Sequence, residues 1–565
     1  MIFGSIDSPF VFTESNTSVN DMIYGASVAR ESFYQALLGY GRFDEYHFFC
    51  VAPSDVPLIE NKLSQFPCDP NRVKLIRRTE LPSYINRVKY NIFFSCSPEL
   101  HKLAYLRGQF SSRYFPLCAM TYTVSYQELL EDLFFNNMIA NLYPFDSLIC
   151  ISAAQLKAIK NINESVINSF RKERGWALEF EGRIDLLPLG VDIRAYGKTD
   201  TAHAREHLDL PKEKIIILYF GRFSVYDKTD LHPLLLAFRG LLREGGNVML
   251  LLAGSGAQGE YSNRTEDMSK DMGLSPNVKF YLNPSLDEKK LLYSACDIFV
   301  SPSDNIQESF GLTVLEAMAS GKPVIASDWN GYRDLVIHNE TGFLIPTYWA
   351  DCNKEVSLLS RINQNWGTDH LHLAQSVSVD VKKISEYLSL LVNDGELRLK
   401  FGQNARNRTA QTFDWRILIP RYEDLWKELF ELSEHSTFKE IRRDIFVPKY
   451  FECFGHYASQ ILTGSMEVTI YEDGRAFLRT HKLPYVPGEL YERISQRIVF
   501  ILLAFLLDEE ITTIGRLESY ARNILKNVSS DTIMFHILWL LKKGFISTAG
   551  SAPDSFVAQP SAIPS

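Results

Sequence analysis

From residue 214 to residue 327, short β-branched or apolar runs alternate with longer stretches of helical spacing, and no other feature of the chain restricts its fold as much. The runs at 214–220, 248–253, 278–281, 298–301 and 323–327 have strand length, and 232–244 and 286–295 between them have helical periodicity. Strand, helix and strand in repetition predict a parallel sheet wrapped by helices. The first part of the chain reads similarly but less cleanly, with strands at 46–51, 73–76, 92–95 and 147–151 and an amphipathic helix at 26–39. Leu187-Pro188-Leu189-Gly190-Val191-Asp192 carries the punctuation of a linker between the halves.

Val381, Ile384, Leu388 and Leu391 fall on one helical face, and 394–413 and 415–432 also read as helices. They are expected to pack back across the two halves. The chain from residue 439 has a different texture. Alternation at 466–471, the turn signal Glu472-Asp473-Gly474-Arg475 and a return run at 476–479 predict a hairpin. Helices follow at 490–507, 514–525 and 532–543, with Gly544 as the last cap. These elements form a small α+β domain of winged-helix type over 439–550. Residues 551–565, rich in Ser, Pro and Ala, read as a disordered tail.

Composition excludes several classes. Apolar residues make up 46% of 565, enough for packed cores. The net charge of −9, with no long basic run, argues against coating nucleic acid. The last helix, with Phe535, Ile537, Leu538, Leu540 and Leu541, lacks the polar face that base recognition needs. Eight cysteines without a Cys-x-x-Cys pair suit reduced, packed thiols and a reducing compartment. The start of the chain shows no signal-peptide pattern, and the longest apolar run, 498–507, is half of what a spanning helix needs. A cytoplasmic protein is expected, with peripheral membrane attachment left open.

Two stretches carry the chemistry. In the first, a strand ends at Phe220, Gly221 turns the chain, and Arg222 and Lys228 follow. Ligands of open parallel sheets sit beyond the carboxyl ends of the strands. There an arginine fork and a lysine point charge suit a diphosphate, including one that departs with developing charge. In the second, a strand ends at Ser301, a polar loop carries Glu308, and a helix starts near Gly311. The amides of Gly311, Leu312 and Thr313 form an anion site backed by the helix dipole. Glu308 before that site and Glu316 within the helix flank it, placed for hydroxyl groups on either side of a diphosphate.

Glu308-Ser-Phe-Gly-Leu-Thr-Val-Leu-Glu316-Ala-Met-Ala-Ser-Gly-Lys-Pro-Val-Ile-Ala resembles the signature of the retaining glycosyltransferases of family 4, of GT-B fold. Other segments fit the same pattern in order. They are Ser147-Leu-Ile-Cys-Ile-Ser152, Leu187-Pro-Leu-Gly-Val-Asp192, Gly221-Arg222 with Lys228, Ala253-Gly-Ser-Gly256, Pro302-Ser303, Gly331-Tyr-Arg-Asp-Leu-Val336 and Glu340-Thr-Gly-Phe-Leu344. The resemblance covers about residues 145–435. It implies two Rossmann-like domains facing a cleft, 1–190 on the acceptor side and 191–438 on the donor side. It implies transfer of a sugar from a nucleotide-diphosphate donor, with retention and without a cofactor or metal ion. Arg222 and Lys228 would hold the diphosphate, Glu316 the ribose and Glu308 the donor sugar. The amides from Phe310 to Thr313 would meet the phosphates or sugar.

The sequence departs from the pattern in two places. Lys228 is followed by Thr229-Asp230 where many relatives have glycine, and the region 119–126 lacks the histidine many relatives carry. Thr121, Tyr122 and Ser125 stand there as acceptor-side candidates. Gly25, before the first helix, is the candidate for the amino-terminal glycine loop. His101, His203, His207, His232, His338, His370 and His372 are read as packed or solvated. The acceptor class stays open among a glycan, a lipid-linked glycan, a small molecule and a protein. Residues 439–550 would dock the acceptor, a partner protein or a second copy, and nucleic acid is not expected. The alternatives are a non-catalytic nucleotide-sugar scaffold or sensor acting through the last domain, and a phosphorylase or epimerase of similar fold.

Overall fold

The computed structural model describes the chain apart from residues 10–24, 51–54, 65, 67, 127–133, 198, 257–259, 353, 360–366, 437–449, 485, 487–492 and 549–565. The expected boundary at 438/439 and the tail at 551–565 lie outside the described residues. Contacts divide the molecule into one unit over Met1–Ile445 and another over Phe446–Ser565.

The first unit has two lobes. Strands Ile2–Ser5 (β1), Glu45–Cys50 (β2), Val73–Arg77 (β3), Ile92–Ser95 (β4), Leu117–Thr121 (β5), Ser147–Cys150 (β6) and Arg183–Leu186 (β7) form a sheet in the order β3-β2-β1-β4-β5-β6-β7. Strands Ile215–Phe220 (β8), Val248–Gly254 (β9), Val278–Leu282 (β10), Ile298–Ser301 (β11), Val324–Ser327 (β12) and Gly342–Ile345 (β13) form the second, in the order β10-β9-β8-β11-β12-β13. Every described pairing within these two sheets is parallel. Each sheet reverses its winding, at β1/β4 and at β8/β11, where a doubly wound sheet opens a crevice beyond its strand ends. These are the two Rossmann-like lobes expected.

β1, β5, β7 and β13 were not marked by the sequence pattern. β5 is buried throughout and shows no alternation, while β7 at the sheet edge reads Arg-Ile-Asp-Leu. A short antiparallel pair, Thr347–Tyr348 (β14) with Ser378–Val379 (β15), follows the second sheet.

The helix Val381–Asn393 buries Ile384, Leu388 and Leu391, as the spacing predicts. The helix Trp415–Glu434 returns to the first lobe, against the helix Gly25–Tyr40. Trp415 and Trp426 pack onto Phe33, Phe94 and Phe3, and Trp415 Nε1 donates to Ser32 Oγ at 2.9 Å. Tyr422 donates to the carbonyl of Leu187, and Arg42 pairs with the buried Glu423.

The second unit is described by itself. Glu467–Ile470 (β16) lies between Ile511–Thr513 (β17) and Ile546–Thr548 (β18), antiparallel to both. Helices Gln496–Glu509, Ile514–Ile524 and Ser530–Lys542 cover the sheet around a core that includes Val468, Phe477, Leu502, Leu517, Ile537 and Phe545. The α+β composition is as expected, but the hairpin is corrected. Residues 472–479 do not turn and return; Glu472–Thr480 is a helix. Glu472 and Asp473 sit in its first turn, favoured by the dipole, and Gly474 and Phe477 bury one face. Gly474 marks close approach rather than a turn, since a Cβ there would come within 2.4 Å of the Phe545 carbonyl.

Candidate functional site

The sheet of the second lobe ends in two loops that are laced together. Thr229 Oγ1 donates to the Pro302 carbonyl at 2.8 Å, Ser303 Oγ to the Lys228 carbonyl at 3.0 Å, and Asn305 Nδ2 to the Tyr226 carbonyl at 2.9 Å. This lacing sets Arg222 and Lys228 beside the loop that carries Glu308. Gly221 is held under them by space: Gly254, at φ 142°, passes so close that a Cβ on it would overlap the Gly221 carbonyl.

Gly311 has φ 105°, and a Cβ there would meet the Tyr332 ring at 2.4 Å. Glycine therefore ends the loop, and the helix Leu312–Ala319 starts without a side-chain cap. Its first amides are left for a ligand.

Lys228 pairs with Glu308, whose side chain is 8% exposed. Burial works to raise the Glu308 pKa. The Lys228 charge and hydrogen bond, the Tyr332 hydroxyl at 3.2 Å and the Phe310 amide outweigh it, so the carboxyl lies below its ordinary value. Arg222 Nη1 donates to Asp227 Oδ2 at 2.6 Å. Two cations and two carboxylates thus alternate along one wall.

A cavity of about 170 Å³ is lined by that wall and by the first lobe. Arg222, Asp227, Lys228, Glu308, Phe310, Gly311, Leu312 and Thr313 face Gly25, Ala26, Ala29 and Tyr122 across it. Three of its lining residues hold a buried polar atom without a hydrogen-bond partner: Asp227 Oδ1, Gln307 Oε1 and Thr313 Oγ1. Unpaired buried polar groups are costly, and a ligand rich in donors and acceptors relieves the cost.

A larger cleft of about 1380 Å³ lies elsewhere, lined by 321–323, Asp297 and the helices Val381–Asn393 and Gly395–Arg408. Asp297 and Pro323 immediately precede β11 and β12, so this cleft opens at the amino ends of the strands, the edge where ligands of such sheets do not sit.

Glu316 lies outside the cavity lining. Its carboxylate accepts from Lys289 Nζ at 2.6 Å, Tyr293 at 2.8 Å and Tyr196 at 3.0 Å. Thr121 is buried with its hydroxyl donated to the Thr123 carbonyl, and Ser125 Oγ bonds Thr123 Oγ1, so neither faces the cavity. At Gly25, the first residue of its helix, a Cβ would meet nothing within 4 Å.

The lobes are clasped beside the cavity. Ser309 donates to the Tyr122 carbonyl, the Ala153 amide to Asp334 Oδ2 at 2.7 Å, and His370 Nε2 to the Ser125 carbonyl at 3.2 Å. His370, fully buried, also meets the Tyr126 ring edge-on. Sequence spacing gave no signal for His370 or Asp227, because each gains its place from a fold contact rather than from a motif; Tyr332 lies in the segment Gly331–Val336, and its contact with Glu308 is what the fold adds. Among the described residues, no three His, Cys, Asp or Glu side chains gather in metal-ligand geometry, and no helix is long and apolar enough to cross a membrane.

Residues 200–365 match the family model described as glycosyl transferases group 1. A D-inositol 3-phosphate glycosyltransferase of Mycobacteroides abscessus is 32% identical over 179 residues, 31% of this chain and 39% of that protein. A lipopolysaccharide 1,2-N-acetylglucosaminetransferase of Salmonella typhimurium is 25% identical over 254 residues, 44% of this chain and 57% of that protein. The chain thus spans between two-fifths and three-fifths of these curated relatives. A crystal structure of a glycosyltransferase from Rickettsia africae superposes with a TM-score of 0.51 at 15% identity, over 76% of this chain and 98% of that one. The two-lobed part of this chain therefore has the GT-B fold, and its second lobe carries the group 1 match.

Proposed function

We propose that this protein is a glycosyltransferase that takes a sugar from a nucleoside-diphosphate donor. One observation carries the reading: Arg222, Lys228, Glu308 and an uncapped helix start converge on one cavity at the carboxyl ends of β8 and β11. A donor diphosphate would draw Arg222 from Asp227 and Lys228 from Glu308. The freed carboxylates would then accept hydroxyl groups of the sugar. The two cations and the helix dipole stabilise the departing diphosphate without a metal ion. The acceptor enters against the first lobe, on the Tyr122 side, and the sugar is transferred with retention. The lobes must part to admit the donor, because 170 Å³ is below the size of sites for ligands of that class.

A second reading, a nucleotide-sugar sensor that does not transfer, draws on Glu316. Three protein donors already occupy the carboxylate that would hold the ribose. Incubation with a panel of nucleotide sugars, followed by assay of nucleotide release with and without acceptors, separates the two. Release of nucleotide diphosphate supports transfer. Tight donor binding without release supports the sensor, and no binding at all overturns both.

A further inference from the structure

Glu308 is held by more than Lys228. The Tyr332 hydroxyl donates to Glu308 Oε2 at 3.2 Å, the same oxygen that pairs with the lysine. The same hydroxyl lies 2.7 Å from Ser301 Oγ. A tyrosine hydroxyl has one proton, and the carboxylate takes it, so Ser301 is the donor in that second contact. Hydrogen bonds thus run from Ser301, the last residue of β11, through Tyr332 to Glu308 on the cavity wall. Asp227, the other carboxylate of that wall, is built differently: its Oδ1 is buried without a hydrogen-bond partner.

Tyr332 is fully buried, and its ring fills the space beside Gly311. It is not among the residues that line the cavity. Burial first, then the Glu308 charge, keep its proton in place well beyond the ordinary tyrosine range. The two donors on Oε2 therefore fare differently when an anion arrives. Lys228 is charged and lines the cavity, so a diphosphate competes with Glu308 for it. Tyr332 is neutral and enclosed, so no ligand competes for its proton. A buried carboxylate that lost its donors would take up a proton or swing away.

We propose that Tyr332 is a positioning residue, which keeps Glu308 in place as an ionised acceptor for the donor sugar once the diphosphate has drawn Lys228 away. The inference rests on the glycosyltransferase reading, in which the lysine changes partners. Ser301 keeps the hydroxyl turned toward Glu308, and Tyr332 itself never meets the substrate.

The test uses the full chain as wild type, Tyr332→Phe, Ser301→Ala, Glu308→Gln and the double variant Tyr332→Phe/Glu308→Gln. UDP, GDP and ADP serve as binding probes, and nucleotide release from UDP-glucose, GDP-mannose and ADP-glucose is the assay. Nucleotide affinity of Tyr332→Phe should match the wild type, because the ring still packs against Gly311. Its kcat should fall by about 10- to 100-fold, the effect of one hydrogen bond to a charged group, with the donor KM little changed. The acid limb of kcat should move to higher pH, since a carboxylate that loses a donor holds its proton more tightly. The other titratable groups around Glu308 are Lys228, Tyr219, and Arg222 with Asp227. Ser301→Ala should shift the same limb in the same direction by less. Adding Tyr332→Phe to Glu308→Gln should have little further effect, which a merely structural tyrosine would not show. An unmoved acid limb, or losses in the double variant that simply multiply, overturns the proposal. If Tyr332→Phe does not fold, Ser301→Ala decides, and an unmoved limb there overturns it equally. Failure of the glycosyltransferase reading looks different: the wild type itself would release no nucleotide, and this inference would fall with it.

Discussion

The two sides of the cavity are built on opposite electrostatic plans. On the second lobe every cation already has a carboxylate: Arg222 with Asp227 and Lys228 with Glu308. On the first lobe the described lining, Gly25, Ala26, Ala29, Tyr122 and Thr123 among it, carries no charged side chain. The paired wall is stable before any ligand arrives and can exchange one anion for another. The uncharged wall has nothing to exchange. A leaving diphosphate needs the first arrangement, because its charge changes during the reaction. A group that only positions a substrate needs the second.

Removing a cation from the paired wall should have the largest effect. Arg222→Ala and Lys228→Ala should each lower kcat/KM for the donor by about 30- to 1000-fold, ~2–4 kcal/mol of transition-state stabilisation. Lys228→Ala should also cost about 3–5 kcal/mol of stability, since it strands Glu308. The double variant Lys228→Met/Glu308→Gln should recover the melting temperature but not turnover. Normal turnover in both single variants would remove the donor assignment.

Splitting the two glutamates sharpens the comparison further. Glu308→Gln should mainly slow transfer, and Glu316→Gln should mainly weaken nucleotide affinity measured by calorimetry. The reverse pattern would exchange their roles.

Acid provides a milder perturbation. The folded protein lowers the pKa of Glu308, so its ionised form contributes stability that is fully present above the unfolded value, roughly 4.3. That contribution is lost as pH falls through the depressed folded value. Turnover should hold through pH 5 and fail only as pH falls below the ordinary carboxylate range, and Glu308→Gln should flatten the acid limb of the melting-temperature profile.

Asp304 has the opposite sign. Burial, then the charge of Asp230, push its pKa up to about 8. Stability therefore drains from the fold as pH rises from the ordinary aspartate range toward 8. Asp304→Asn should raise the melting temperature slightly at pH 8.5 and leave it unchanged at pH 4.

The smallest contrast lies between the two glycines that face each other. Gly311→Ala should destabilise by ~1–3 kcal/mol, from its φ and the Tyr332 ring. Gly25→Ala, on a helix with open space around it, should be neutral or stabilise by ~0.5–1 kcal/mol.

The second lobe was legible because β8, β9, β11 and β12 are buried on both faces and stand out as apolar runs, and because its loops compress the chemistry into short motifs. Residues 308–316 place Glu308, Gly311 and the helix start by local spacing alone. Strand β5 was silent because no alternation marks it, and β7, which does alternate, because it is only four residues long at the sheet edge. The helix Glu472–Thr480 was misread because a buried glycine carries the same letter as a turn glycine. Asp227 and His370 could not be found by spacing. His370 meets Ser125 across 245 residues of chain.

The helix Trp415–Glu434 has a consequence for how the chain is made. It lies at the end of the two-lobed unit in sequence, yet Trp415, Tyr422 and Trp426 complete the aromatic core around Phe3, Phe33 and Phe94. During synthesis the first lobe therefore emerges with that surface bare and remains so until about 240 further residues have followed. Exposed aromatic faces of this kind invite aggregation and chaperone capture. The lobe that is translated first is thus among the last parts to be finished. A nascent chain halted before residue 414 should stay protease-sensitive in its first lobe, and one halted well beyond residue 434 should not.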